Sequence, residues 1–377
     1  MQVPLLDLKA QYASLRAEME PIVRDVLDSQ YFINGPAVGE LEADLAAYCG
    51  TDHAVGVSSG TDALVASLMS LGIYRSPLDE GPADEVITTP YTFFATAGSI
   101  WRVGARPVFV DIEPDTFNID TTKIEAAITE RTKAIIPVHL YGQLADMEPI
   151  LALAKKYNLA VIEDGAQAIG AKQNGKPAGS FGDTGCFSFF PSKNLGGLGD
   201  GGIVTTNNAE LAETLRECRN HGMNPKYYHK WVGANFRLDT LQAAGLKLKL
   251  PQLDSWHEGR RANAAFYDAA FANVDEITTP IVKPGNEMIY NQYIIRIPNR
   301  DEAIACLREN NIGCDIYYPV PMHQQECFAA LGYKTGDMPN SEQAAAETLA
   351  LPIYAELTDD QQQYVVDTLK TFLVANK

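Results

Sequence analysis

KAIIPVHLYGQLADMEPILALAKKYNLAVIEDG, residues 133–165, holds the pattern that decides the fold. It opens on an apolar, β-branched run (Lys133–Leu140) and closes on another (Leu159–Gly165). Between them Met147, Ile150, Leu151 and Ala154 recur at three- and four-residue spacing, the signature of a helix with one buried face. Strand, helix and strand in this length make a βαβ unit. Strands so continuously apolar are buried on both faces, as in a parallel sheet covered by helices. The alternation continues outward in both directions. HAVGVSS (from His53) leads into TDALVASLMSLG, EVITTP (from Glu85) into FFATAGSIWRVG, and RPVFVDI (from Arg106) into TTKIEAAITE. CFSFFP (from Cys186) and GGIVTT (from Gly201) add two more strands. A helical pattern then begins near Leu238 and is interrupted around Pro251. YNQYIIRI (from Tyr290), DEAIACLREN and a last helix ending near Leu373 follow. The expectation is an α/β fold with a mostly parallel central sheet, in a large domain over 1–250 and a smaller α+β domain over 251–377.

The 377 residues suffice for about two or three domains. Thirty Lys and Arg against 48 Asp and Glu leave a net charge of −18, which opposes general binding to nucleic acid or to anionic membrane surfaces. No apolar run approaches the ~20 residues of a membrane helix. Asp7 interrupts the N-terminus before any stretch of signal-peptide length, so the expected location is the cytoplasm. The six cysteines form no CxxC pair, and HEGRR at His257 lacks the second histidine of HExxH; neither a disulfide framework nor a metal site is expected.

In an open parallel sheet, ligands sit beyond the carboxyl ends of the strands. Unusual residues cluster at those ends. In FSFFPSKNLGGLGDGG (187–202), Lys193 follows an apolar run and precedes five glycines in seven residues. A lysine in apolar surroundings loses its proton readily and attacks carbonyls; the alternative is an exposed loop lysine beside a flexible turn. A dinucleotide fingerprint does not fit, because these glycines lead into a strand and not a helix. In VIEDGAQ, Asp164 ends a strand, where it either caps a helix or holds the cationic ring nitrogen of a pyridine cofactor, with Gln167 one turn on. SSGTDAL places Gly60 and Thr61 at a helix start that suits a phosphate, or is an ordinary cap. In TTPYTFFAT, Phe93 is either a stacking platform or plain core.

Together and in this order, these motifs resemble the sugar aminotransferases of the DegT/DnrJ/EryC1/StrS group, which depend on pyridoxal 5'-phosphate (PLP) and share the aspartate-aminotransferase fold, PLP-dependent transferase fold type I. The resemblance runs from PLLDLKAQY through GPAVGELEADLAAYCG to YYPVPMH and LPIYAELTDDQ. It implies that Lys193 is the Schiff-base lysine and moves the proton, that Asp164 pairs with the ring nitrogen, and that Gln167 contacts the ring hydroxyl. Gly60, Thr61 and Ser188 are then phosphate ligands, Phe93 stacks on the ring, and Asn235 of GANFRLDTLQAA reaches the phosphate across a homodimer with shared active sites. The implied reaction takes an amino group from L-glutamate, through pyridoxamine 5'-phosphate (PMP), to a nucleotide-linked keto-sugar. Members that remove a C3 hydroxyl carry histidine in place of the lysine, so Lys193 favours transamination. A regulatory or DNA-binding role once proposed for the group is opposed by the charge. The tyrosine-rich KYYHK and NQY segments look nearest the 3-keto-sugar enzymes, with 4-keto-sugar amination as the alternative. Lys226, His229, Lys230 and Arg237 form a basic stretch that either offsets the two phosphates of a dTDP or UDP sugar or is a solvated loop. Tyr317 and His323 of YYPVPMH are further candidate substrate contacts.

Overall fold

The computed structural model describes residues 1–375. Seven strands form the central sheet: β1 (His53–Val57), β2 (Glu85–Thr88), β3 (Arg106–Phe109), β4 (Thr132–Ile136), β5 (Ala160–Asp164), β6 (Thr184–Ser188) and β7 (Gly202–Thr206). Their spatial order is β1-β7-β6-β5-β4-β2-β3. Strand β7 runs antiparallel to both its neighbours, and every other pair is parallel. The carboxyl ends of six strands therefore meet at one edge, joined there by the start of β7.

Successive strand residues point to opposite faces, and here both faces are apolar. Ile135, Val161, Phe187 and Ile203 pack with Leu41, Leu45, Ile150 and Leu246 on one side. Their neighbours Ala134, Ile136, Ile162, Cys186 and Val204 pack with Leu64, Ile100, Leu211 and Leu215 on the other. The expected two-sided burial is met. Pro251 opens a short 3₁₀ turn between helices Thr240–Lys249 and Leu253–Phe271, because a proline lacks the N–H that would continue the first helix.

The C-terminal part carries the antiparallel pair β8 (Tyr293–Arg296) and β9 (Thr348–Leu351), flanked by helices Arg300–Glu309 and Asp359–Ala375. Its core also takes in Val3, which bridges to Ile312, and Val138, Leu140 and Tyr141 from the loop after β4. The chain's first residues and the sheet's carboxyl edge thus share one apolar cluster with the C-terminal region.

A buried pair steadies that edge. Glu163 accepts from the N–H groups of Gly179, Phe181 and Gly182 at 2.7–2.8 Å and meets His139 Nε2 at 3.0 Å. His139 Nδ1 accepts the Ala145 N–H, so the ring proton is on Nε2 and donates to Glu163. With its acceptors filled on one face of β5, Glu163 leaves Asp164 to point the other way.

Candidate active site

Asp164 closes β5 at the carboxyl edge. Its backbone is fixed on both sides, by its N–H donating to Pro137 O and its carbonyl accepting the His139 N–H. Its Oδ2 accepts the Thr96 hydroxyl at 2.7 Å, and its Oδ1 accepts the Ala166 N–H at 3.2 Å. Burial pushes the carboxyl's pKa up; the Thr96 hydroxyl, the Ala166 N–H and the charge of Lys193 pull it back, in that order. Thr92 and Thr96 hydroxyls lie 3.0 Å apart, which gives a buried chain of donors ending on the carboxylate.

Lys193 follows β6 in a turn closed by its own N–H donating to Phe190 O. The side chain is half-buried, and among the described residues no hydrogen bond or ion pair engages its Nζ. Burial lowers its pKa to about 8, with the Asp164 carboxylate working in the opposite direction. An amine with its pKa lowered this far is still largely protonated at pH 7, but it gives up its proton far more readily than an ordinary lysine, which suits a nucleophile and proton carrier.

Gln167 is held at both ends. Its Oε1 accepts the Tyr141 N–H at 2.6 Å, and its Nε2 donates to the Tyr318 hydroxyl at 3.0 Å. Tyr141 has φ 59°, the left-handed region that costs a non-glycine residue, and its hydroxyl donates to Tyr317 O. Phe93 is 57% exposed with Tyr318 at 6.0 Å between ring centroids, so it offers a free flat face beside the strand ends.

Ser59 caps helix Gly60–Ser70 by accepting the Asp62 N–H, while Asp62 Oδ2 accepts from both Ser58 and Ser59 hydroxyls. The glycines here are required by close approach. A Cβ on Gly60 would stand 2.6 Å from Ser188 Cβ, and one on Gly202 would stand 2.5 Å from the Ser59 carbonyl. The helix N-terminus is thereby pressed against the end of β6, bringing Gly60, Thr61 and Ser188 together. A phosphate fits such a place, since N–H groups and the helix dipole converge on it. The residue set fits PLP: a helix start for its phosphate, a carboxylate for its ring nitrogen, an open aromatic face and an available lysine.

The remaining candidates lie apart. Asn235 is exposed and bridges to Asn220 through its backbone; the helix that follows starts at Thr240 with Asp239 at its cap, so Asn235 does not cap it. Phe236 O accepts the Ser58 N–H, which lays this segment along the end of β1. Arg237 donates to Asn220 Oδ1 at 2.8 Å and keeps a buried Nε without a partner. Lys226 lies over the Tyr227 ring, His229 Nδ1 meets His221 O at 2.9 Å, and Lys230 pairs with Glu217 at 3.0 Å. Tyr317 shares the site's edge through its carbonyl. The His323 side chain is buried against Tyr333 and meets Glu342 at 2.9 Å. Thr96, Tyr141 and Tyr318 join the site as residues with little local sequence signal; only Thr96 has one, its four-residue spacing from Thr92 at a helix start.

In cofactor-free protein, Lys193→Met should be more stable than the parent at pH 7, where burying an ammonium opposes folding. The unfolded lysine keeps its proton up to the ordinary value of 10.5, the native one only to about 8. The parent's stability should therefore rise relative to the variant between those values, closing the gap. Urea unfolding at pH 7, 9 and 11 measures it; a gap independent of pH would contradict the lowered pKa.

The DegT/DnrJ/EryC1/StrS aminotransferase family model matches residues 13–370. A "Pleiotropic regulatory protein" of Geobacillus stearothermophilus is 53% identical over 99% of both chains. A UDP-N-acetyl-3-dehydro-alpha-D-glucosamine 3-aminotransferase of Acidithiobacillus ferrooxidans is 45% identical over 98% of both. Among solved structures, DesV of S. venezuelae in complex with a ketimine intermediate is 42% identical over 98% of both chains, with a TM-score of 0.94. NtdA of Bacillus subtilis, solved with bound cofactor PMP, is 31% identical over 98% of this chain and 85% of that one, with a TM-score of 0.89. The strand order, the lysine turn after β6 and the full-length match lead to one conclusion: the chain belongs to the DegT/DnrJ/EryC1/StrS aminotransferase family.

Proposed function

We propose that this enzyme moves an amino group from L-glutamate to C3 of a UDP- or dTDP-linked keto-hexose or keto-uronic acid, in the cytoplasm, for the synthesis of an amino sugar used in polysaccharide or glycoside assembly. The observation that carries the reading is the half-buried amine of Lys193 beside the buried Asp164 carboxylate, in a chain 45% identical to a UDP-sugar 3-aminotransferase. The cofactor, PLP in one half-reaction and PMP in the other, supplies the electron sink and carries the nitrogen.

The chain's residues do the rest. Asp164 keeps a ring nitrogen protonated; such a pair at an effective dielectric near 20 is worth on the order of 4 kcal/mol of Coulomb energy. Gly60, Thr61 and Ser188 hold the phosphate, Phe93 covers one face of the ring, and Gln167 faces the ring hydroxyl. Lys193 Nζ takes and returns the proton that each half-reaction relocates. Arg237 and the Lys226–Lys230 loop meet the two phosphates of the nucleotide, with Tyr317 toward the sugar; His323, buried against Tyr333 and paired with Glu342, takes no part.

Asn235 completes the phosphate site from a second copy of the chain. Tyr227, Tyr228 and Val232 in the preceding loop are 77%, 70% and 83% exposed, apolar surface that a partner would cover. The name of the 53% identical relative favours a second reading, regulation. The charge of −18 opposes it, and a colourless protein that takes up no PLP and shifts DNA would restore it.

With the enzyme loaded as PMP, UDP- and dTDP-linked 3-keto and 4-keto sugars should separate. The PLP absorption should return at least tenfold faster with a 3-keto sugar, and faster return with a 4-keto sugar would overturn C3 amination. Sharing of the site has its own test. Lys193→Ala and Asn235→Ala proteins, each impaired, are unfolded and refolded together. Mixed dimers would then hold one intact site, so activity should recover. No recovery would place Asn235 in its own chain's site.

A further inference from the structure

A small cavity lined by Ser192, the residue before Lys193, has walls that are chemically one-sided. Ser192 precedes the lysine on one wall; Arg260, Asn291 and Gln292 form another; Leu5, Leu6, Leu351 and Ile353 supply apolar flanks. It has about 50 Å³ of free space, which is room for a hydroxyl-bearing edge and not for a whole sugar ring.

The orientation of Asn291 follows from its neighbours. Asn194 Nδ2 donates to Ile289 O at 3.1 Å, a group that can only accept, so Asn194 Oδ1 is an acceptor. Asn291 Nδ2 donates to that oxygen at 2.8 Å. The leftover atom is Asn291 Oδ1, buried and without a partner in a residue 7% exposed. Gln292 Oε1 is likewise buried and unpartnered. Two bare acceptors on residues that line one cavity cost stability unless something donates to them.

The charges narrow what that donor is. Arg260 is buried, and its Nη1 donates to the carbonyls of Tyr290, Asn291 and Ile353, at 2.9, 3.4 and 2.9 Å. Its positive charge disfavours an ammonium. The two carbonyl oxygens disfavour a carboxylate. A neutral hydroxyl remains, and the apolar flanks suit the C–H face of a pyranose. We infer that this cavity receives a hydroxyl edge of the acceptor sugar and that Gln292 reads it, a specificity contact that rests on the keto-sugar reading above.

Gln292→Met keeps the volume and removes the acceptor, and Gln292→Leu serves as a second variant. The probe is whichever UDP- or dTDP-linked 3-keto sugar restores the cofactor spectrum fastest in the parent enzyme. Both variants should raise KM for that sugar about fivefold or more, the loss of roughly one hydrogen bond. The glutamate half-reaction should stay within twofold, and the melting temperature without ligand should hold or rise, because an unsatisfied acceptor is gone. An unchanged KM for the sugar means that water alone fills the cavity and overturns the inference. So does a rise in KM for glutamate instead. A parent enzyme that reacts with glutamate but with no keto-sugar overturns the sugar reading itself, a failure seen without any variant.

Discussion

The buried carboxylate of Asp164 is the constraint on which the site depends. A carboxylate out of water resists ionisation, and this one is kept useful by the Thr96 hydroxyl, the Ala166 N–H and the lysine opposite. Each of those supports comes from a different element, a helix start, a turn and the loop after β6, so the charge is supported inside the protein only when the whole edge is assembled. Glu163, the preceding residue on β5, fastens the 179–182 turn on the other side of the strand. Alternation along one strand thus gives one carboxylate to architecture and the next to chemistry.

The lysine and the phosphate turn depend on the same edge. Lys193 loses basicity because the turn after β6 carries it into the protein, and Gly60 and Gly202 let a helix start and a strand start close around Ser188 and Ser59. Replacing either glycine would wedge those elements apart. The apolar cluster that joins Val3 and Tyr141 to the C-terminal core sets the C-terminal region over this edge and brings Arg260, Asn291 and Tyr317 into one cavity with Ser192, the residue before the lysine.

Most of the fold was legible because its signals are local. All seven sheet strands were marked by apolar runs, and Lys193, Asp164 and Gly60 stood out as odd residues at strand ends. Long-range partners were not legible. The 226–237 stretch reads as a basic patch, yet Lys230 meets Glu217 and Arg237 meets Asn220, partners set by chain folding and not by spacing. The helical pattern read from near Leu238 is met by a helix that starts at Thr240, after Asp239, which leaves Asn235 outside it. Thr96 and Tyr318 carry ordinary residue types in apolar or aromatic company, and only the assembled edge shows Thr96 donating to Asp164 and Tyr318 accepting from Gln167.

The central claim is that Lys193, of all 377 residues, is the one that bonds to the cofactor. Reduction of the PLP-loaded protein with borohydride, followed by digestion and mass mapping, tests it most directly. The account predicts a single pyridoxyl-modified peptide containing PSKN, with the label on Lys193 and none in Lys193→Ala. A label on another lysine, or no label on a protein that had taken up PLP, would contradict it.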